Sequence, residues 1–125
     1  MNILYIDTTK KELIVLLKKK DEVNSIKDES GYHSIELLSV IDRLLKEQNT
    51  GLDNIDIFAV NKGQGRFTGT RIGIITALML SEITGKRLVY LTTEDDIEDI
   101  DNIVKNRASS DQALATYDSK SYFEE

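Results

Sequence analysis

Gly63-Gln64-Gly65-Arg66-Phe67-Thr68-Gly69-Thr70-Arg71 joins an apolar, strand-like run, Ile55 to Val60, to the helix-like run Ile72-Gly73-Ile74-Ile75-Thr76-Ala77-Leu78-Met79-Leu80. A strand, a glycine-bearing turn and a helix in that order open a βαβ unit, and with it an α/β fold. Lacking a Cβ, Gly63, Gly65 and Gly69 can take positive φ, while the first N–H groups of the helix point into the turn at its positive dipole end. That geometry suits a phosphate or another chain. The spacing, G-x-G-x-x-x-G, is neither the dinucleotide fingerprint nor a Walker A loop, since no Lys follows Gly69, and by itself it reads first as a plain structural turn.

Outward from this stretch, the helix is expected over 68–84 with Gly85 closing it, and Lys86 to Thr92 form a strand parallel to 55–60 because a helix connects the two. Apolar residues surround the helix almost completely, so more than one of its faces should be covered. Gly73, Ala77 and Ser81 fall at i, i+4 and i+8, a small-residue stripe along which a second helix backbone could approach. Upstream, residues 2–7, 12–17 and 22–28 read as a three-stranded antiparallel meander with Lys18-Lys19-Lys20 at a solvated hairpin tip. A further helix should run from a Ser34 N-cap to Gln48, with Asn49 or Gly51 ending it. Its apolar residues, Leu37, Leu38, Val40, Ile41, Leu44 and Leu45, cover roughly 160° of arc at 100° per residue. The acidic run Glu94 to Asp101 lacks the oxygen pattern of a calcium loop. It reads as the start of a short amphipathic helix with Thr93 as cap and Ile97, Ile100 and Val104 inward.

Asp7 and Thr8 end the first strand, at the edge where open α/β sheets place ligands, although an Asx-type turn explains them equally well. His33 is the single histidine; Leu37 stands where a second ligand one turn on would be, so a helix-entry contact is expected and a metal site is not. There is no Ser-His-Asp set and no paired acid and base, so no independent catalysis is expected.

Asp7-Thr8-Thr9 after the first strand, His33-Ser34-Ile35-Glu36-Leu37-Leu38 opening a helix, and the glycine stretch occur in the order found in the TsaB family of bacteria, which this chain resembles over about residues 1–92. The family loop usually reads Gly-Pro-Gly-Ser-Phe-Thr-Gly-Leu-Arg. Gly63, Gly65, Phe67, Thr68, Gly69 and Arg71 match it, while Gln64, Arg66 and Thr70 depart from it. The resemblance implies an actin-like ATPase (ribonuclease H-like) lobe over 1–106, with a mixed sheet and two main helices. Residues 107–125 would be a short hairpin, the remnant of a second lobe that the family usually continues into. It also implies a non-catalytic partner of a TsaD-like paralogue in making threonylcarbamoyladenosine on tRNA, with a TsaE-like ATPase as a further partner and a homodimer when alone. Asp7, Thr8, Gly63 and Gly65 would line half of a nucleotide site, able to hold ATP or ADP only when another chain closes it. Leu37, Val40, Leu44, Gly73, Ala77, Leu80 and Ser81 would meet the partner helices. Two other readings remain open: a regulator that only homodimerises, and a weak nucleotide-binding protein of the actin-like class.

Composition narrows the classes. A chain of 125 residues fits one domain with a core of its own. A net charge of −6 argues against broad direct contact with nucleic acid, so tRNA would be met through a partner. The lack of Cys excludes disulfides and thiolate chemistry, and no run has the length and flanks of a membrane helix or a signal sequence, which leads us to expect a mature cytoplasmic protein.

Overall fold

A computed structural model describes residues 1–63 and 68–107, with residues 68 and 69 as backbone only. Of the stretch 107–125, expected to be a hairpin, only Arg107 is described, and it caps the end of the helix Ile100–Asn106; residues 108–125 and the loop residues Gln64, Gly65, Arg66 and Phe67 lie outside this description.

The elements follow the order β1 (Asn2–Asp7), β2 (Leu13–Lys19), β3 (Glu22–Asp28), α1 (His33–Glu47), β4 (Ile57–Asn61), α2 (Thr68–Thr84), β5 (Arg87–Leu91) and α3 (Ile100–Asn106). One mixed sheet has the order β3-β2-β1-β4-β5. The first three strands form the expected antiparallel meander, with Tyr5 opposite Leu16 and Val15 opposite Ile26. β4 and β5 add in parallel beside β1, with Tyr5 opposite Ala59 and Val60 opposite Tyr90. The strand alternation divides the core in two. Leu4, Ile6, Val15, Leu17, Phe58, Val60, Leu88 and Tyr90 pack with α1 and α2 on one face. On the other, Ile3, Tyr5, Leu16, Ile57, Ala59, Val89 and Leu91 pack with Ile100 and Val104 of α3. β4 is buried along its whole length, as a central strand covered on both faces must be.

Several boundaries differ from the sequence reading. α1 starts at His33 because the Tyr32 carbonyl accepts the N–H groups of both Ile35 and Glu36, so Ser34 lies inside the helix and is not its cap. Asn49, at φ +50°, ends it as expected. α3 begins at Ile100 after a 3-10 turn at Ile97–Asp99, where Asp96 and not Thr93 is the side-chain cap: its carboxylate accepts from Glu98 N at 3.0 Å. Gly69 sits in the first turn of α2, within the right-handed helix. Gly63, at φ +62°, is where a glycine is needed.

Candidate functional site

The carboxyl ends of β1 and β4 meet at a closed polar knot. Asp7, only 7 % exposed, ends β1 and points to the α3 face of the sheet. Its Oδ1 accepts Thr9 N at 2.9 Å and Thr9 Oγ1 at 2.6 Å, which is an Asx turn. Its Oδ2 accepts from Tyr5 OH at 3.3 Å and Asn61 Nδ2 at 3.4 Å, and Asn61 Oδ1 accepts Gly63 N at 2.8 Å. Burial, with the Asp7 charge beside it, pushes the Tyr5 hydroxyl well above the ordinary tyrosine range. Each oxygen of Asp7 is thus held by two donors of its own chain, which leaves it little capacity for another ligand.

Thr8, the next residue, points to the opposite face and is fully buried beneath α2. A Cβ placed on Gly73 would collide with the Thr8 hydroxyl and stand 3.3 Å from its methyl, so the small residue in α2 admits this strand end to the helix backbone. A Cβ on Gly63 would likewise stand 3.2 Å from the Thr9 methyl. Of the four residues expected to line half a nucleotide site, Asp7 and Gly63 come together, Thr8 turns away into the core, and Gly65 lies outside the described residues.

A cavity of about 330 Å³ opens beside the knot on the α3 face, with Tyr5, Asp7, Lys10, Lys27, Asn61 and Asp95 in its lining. Tyr5, Asn61, Asp95 and Arg107 escaped the sequence reading, the first two because strand-end polar residues with an aromatic two positions back carry no motif. Asp95 accepts Thr92 N at 2.7 Å and pairs in bidentate fashion with Arg107 at 2.7 Å on both oxygens. The Arg107 guanidinium holds the Asp95 carboxyl at about 2, against the opposing effect of burial. Arg107 also donates to Tyr90 O, which ties the end of α3 to β5.

His33, 5 % exposed, donates from Nε2 to the Lys10 carbonyl and so fastens the β1–β2 loop to the first turn of α1, the helix-entry role expected of it. The basic triplet is largely occupied. Lys18 pairs with Asp101 at 2.8 Å, and Lys19 caps the end of α1 through Gln48 O at 3.0 Å and Thr50 Oγ1 at 3.2 Å. Among the described residues no group of three or more His, Cys, Asp and Glu could hold a metal ion, and no helix is long and apolar enough to cross a membrane.

The expected partner surface needs correction. Leu37, Val40 and Leu44 are 1–2 % exposed and Ala77 is fully buried, all within the chain's own core; Gly73 is covered by Thr8. Ser81 bonds the Lys86 carbonyl and Leu80 is half-buried against the core. The small-residue stripe therefore faces the sheet, because only small residues let α2 settle onto the end of β1. The outward side of α2 is apolar instead. Met79 is 56 % and Ile83 73 % exposed, with half-buried Ile72 and Ile75 completing a ridge at 3-4-4 spacing. On α1, which covers the same sheet face, Ile35 is 70 % and Leu38 63 % exposed.

A five-stranded mixed sheet with this strand order, a glycine turn at the carboxyl end of β4 and helices on both faces defines a lobe of the actin-like, ribonuclease H-like class. The family model of TsaD, tRNA N6-adenosine threonylcarbamoyltransferase, matches residues 27–95, more than half of the chain, and the chain belongs to that family. Its relatives include the tRNA threonylcarbamoyladenosine biosynthesis protein TsaB of Buchnera aphidicola subsp. Baizongia pistaciae, 37 % identical over 68 residues, covering 54 % of this chain and 31 % of that protein. TsaB of Haemophilus influenzae is 31 % identical over 74 residues, covering 58 % of this chain and 31 % of that protein. The solved structure of YeaZ from Pseudomonas aeruginosa matches with a TM-score of 0.71 at 26 % identity, over 74 % of this chain and 45 % of that one. The chain thus spans about a third of the length of these curated relatives and under half of the solved one.

Proposed function

We propose that this chain is a non-catalytic, TsaB-like scaffold that binds a TsaD-like partner through the outward faces of α1 and α2 and so supports threonylcarbamoyl transfer to tRNA in the cytoplasm. The observation that carries this reading is the apolar ridge Ile72-Ile75-Met79-Ile83 on α2 together with exposed Ile35 and Leu38 on α1, which covers the same sheet face: large apolar side chains left in solvent on one side of a domain mark a protein contact. The ridge replaces the stripe as the seat of the interface, and Leu80, half-buried at its flank, is the one residue of the earlier set that could join it. The names of the relatives support the process, tRNA threonylcarbamoyladenosine biosynthesis, and the TsaD-like partner is our inference from that context. A scaffold also suits a knot whose carboxylate is held by its own chain. Any ATP or ADP would then be bound with a partner's help, and a TsaE-like ATPase would join the assembly through the TsaD-like subunit. The net charge of −6 and the occupied lysines leave tRNA to that partner.

The test is reconstitution. A TsaD-like protein is assayed for threonylcarbamoyl transfer to tRNA with and without this chain. Stimulation by wild type, lost with Met79→Glu, supports the scaffold; equal activity with and without the chain rejects it.

A further inference from the structure

Sulfur is confined to the surface of this chain. The sequence has no Cys and two Met, Met1 ahead of β1 and Met79 on α2. Met1 is 44 % and Met79 56 % exposed, so neither hydrophobic core contains a sulfur atom. An oxidant can therefore alter the surface of the molecule without touching what holds it folded.

Met79 occupies the middle of the ridge. Ile75 and Ile83 stand one turn to either side of it, and Ile72 follows beyond Ile75. The other three side chains of the ridge are thus isoleucines, stiff at χ1 and inert to peroxide. Met79 is unbranched, with a polarisable thioether, and is the member of the ridge best able to adapt to a facing surface. It is also the member whose polarity a chemical step can change. The buried side of the same helix, Ile74 and Ala77, is untouched by such a step.

We propose that Met79 is an oxidation site that regulates the ridge, a reading that rests on the docking role given to that ridge above. A peroxide supplies the oxygen. With hydrogen peroxide, a sulfur lone pair of Met79 attacks one oxygen, and the O–O bond breaks as the S–O bond forms. The displaced hydroxide takes the proton from the new S–OH group and leaves as water. The sulfur is oxidised by two electrons to the sulfoxide and the peroxide is reduced by two. The product is a polar acceptor set between Ile75 and Ile83, which a docked partner has to bury among apolar side chains. A sulfoxide reductase drawing on a thiol reductant reverses the step. With no Cys, the chain has no thiol of its own to compete for the oxidant.

The experiment treats the full wild-type chain and Met79→Leu with hydrogen peroxide and maps the oxidised methionines by peptide mass spectrometry, with circular dichroism as the folding control. Leu keeps the apolar bulk and is not oxidised, and Met1, present in both chains, accounts for oxidation elsewhere. Fluorescence of the apolar dye anilinonaphthalene sulfonate reports the ridge without any partner, and calorimetric titration into a TsaD-like protein reports docking. Oxidised wild type, still folded, should give a weaker dye signal and bind the TsaD-like protein about tenfold more weakly, and treatment with sulfoxide reductases and dithiothreitol should restore both. Met79→Leu should be unchanged by peroxide in both readouts. Met79 left intact while Met1 is fully converted overturns the proposal. So does a dye signal or a Kd that complete oxidation of Met79 leaves unchanged, or an equal response from Met79→Leu. A TsaD-like protein that does not bind untreated wild type rejects the scaffold reading, and the mapping and the dye then decide the oxidation site by themselves.

Discussion

Gly73 lies directly under Thr8, with no room between them for a side-chain carbon on the helix. The strand alternation brings Thr8 to that contact, where it is fully buried: Asp7 turns to the α3 face, and Thr8 must turn to α2. The end of β1 is thereby locked to the helix that follows the glycine turn. Gly73→Val should destabilise the chain by about 1 to 3 kcal/mol through overpacking against backbone-anchored Thr8. Urea denaturation measures it, and Gly85→Val at a helix end with no atom within 4 Å of the added Cβ separates the overpacking from the strain of a positive φ.

The Asp7 knot is a stability element before it is a site. Asp7→Ala strips the acceptor from Thr9 and from the buried Tyr5 hydroxyl, while Asn61 keeps its bond to Tyr5 OH, at an expected cost of about 2 to 4 kcal/mol. Chemical denaturation is the measurement. A cost near zero would show that the knot is dispensable and that its carboxylate is free for other work.

Asp95 gives the chain an acid-sensitive tie. Its carboxyl sits at about 2 in the folded chain against an ordinary 3.8, so across that interval the unfolded chain binds more protons. Its contribution, about 2 kcal/mol, is whole above about pH 4 and is lost as the pH falls to about 2. Asp95→Asn should therefore cost most near neutrality, and the gap between variant and wild type should close between about pH 4 and pH 2. A gap of constant size over that range would show that the pair with Arg107 does not hold the end of α3.

Nucleotide should bind the isolated chain weakly or not at all, since Asp7 is held by four internal donors and Thr8 is buried. Titration calorimetry with ATP and magnesium should give no saturable heat. Low-micromolar binding with turnover would make the chain an enzyme of its own class and reject the scaffold.

Strands and helices were legible because their signals are local. The continuous apolar runs Ile3 to Ile6 and Leu13 to Leu17 mark buried strands, and the apolar period of Leu37, Val40, Leu44 fixes a helix face, without reference to the rest of the chain. The face of α2 was not legible. With Ile72, Ile74, Ile75, Leu78, Met79, Leu80 and Ile83 distributed around the helix, periodicity assigns no inward side, and the stripe Gly73-Ala77-Ser81 suggests a partner as readily as a sheet. What settles it is Thr8, 65 positions away in sequence by number and adjacent only in the fold. The site divides in the same way: Asp7 could be placed from the end of its strand, whereas Tyr5, Asn61, Asp95 and Arg107 come from separate elements and share no spacing.

The stripe and the ridge make opposite forecasts for substitution on one helix. Ala77→Glu puts a charge into the core and should leave the chain unfolded by circular dichroism, while Met79→Glu, on a side chain 56 % exposed, should leave it folded.

The central claim, docking through the ridge, is tested most directly by titrating wild type, Met79→Glu and Glu98→Lys into a purified TsaD-like protein and measuring Kd by calorimetry. Wild type and Glu98→Lys should bind alike, and Met79→Glu, folded, should bind at least tenfold more weakly, a loss of about 1.4 kcal/mol or more. Equal Kd for wild type and Met79→Glu would contradict the account.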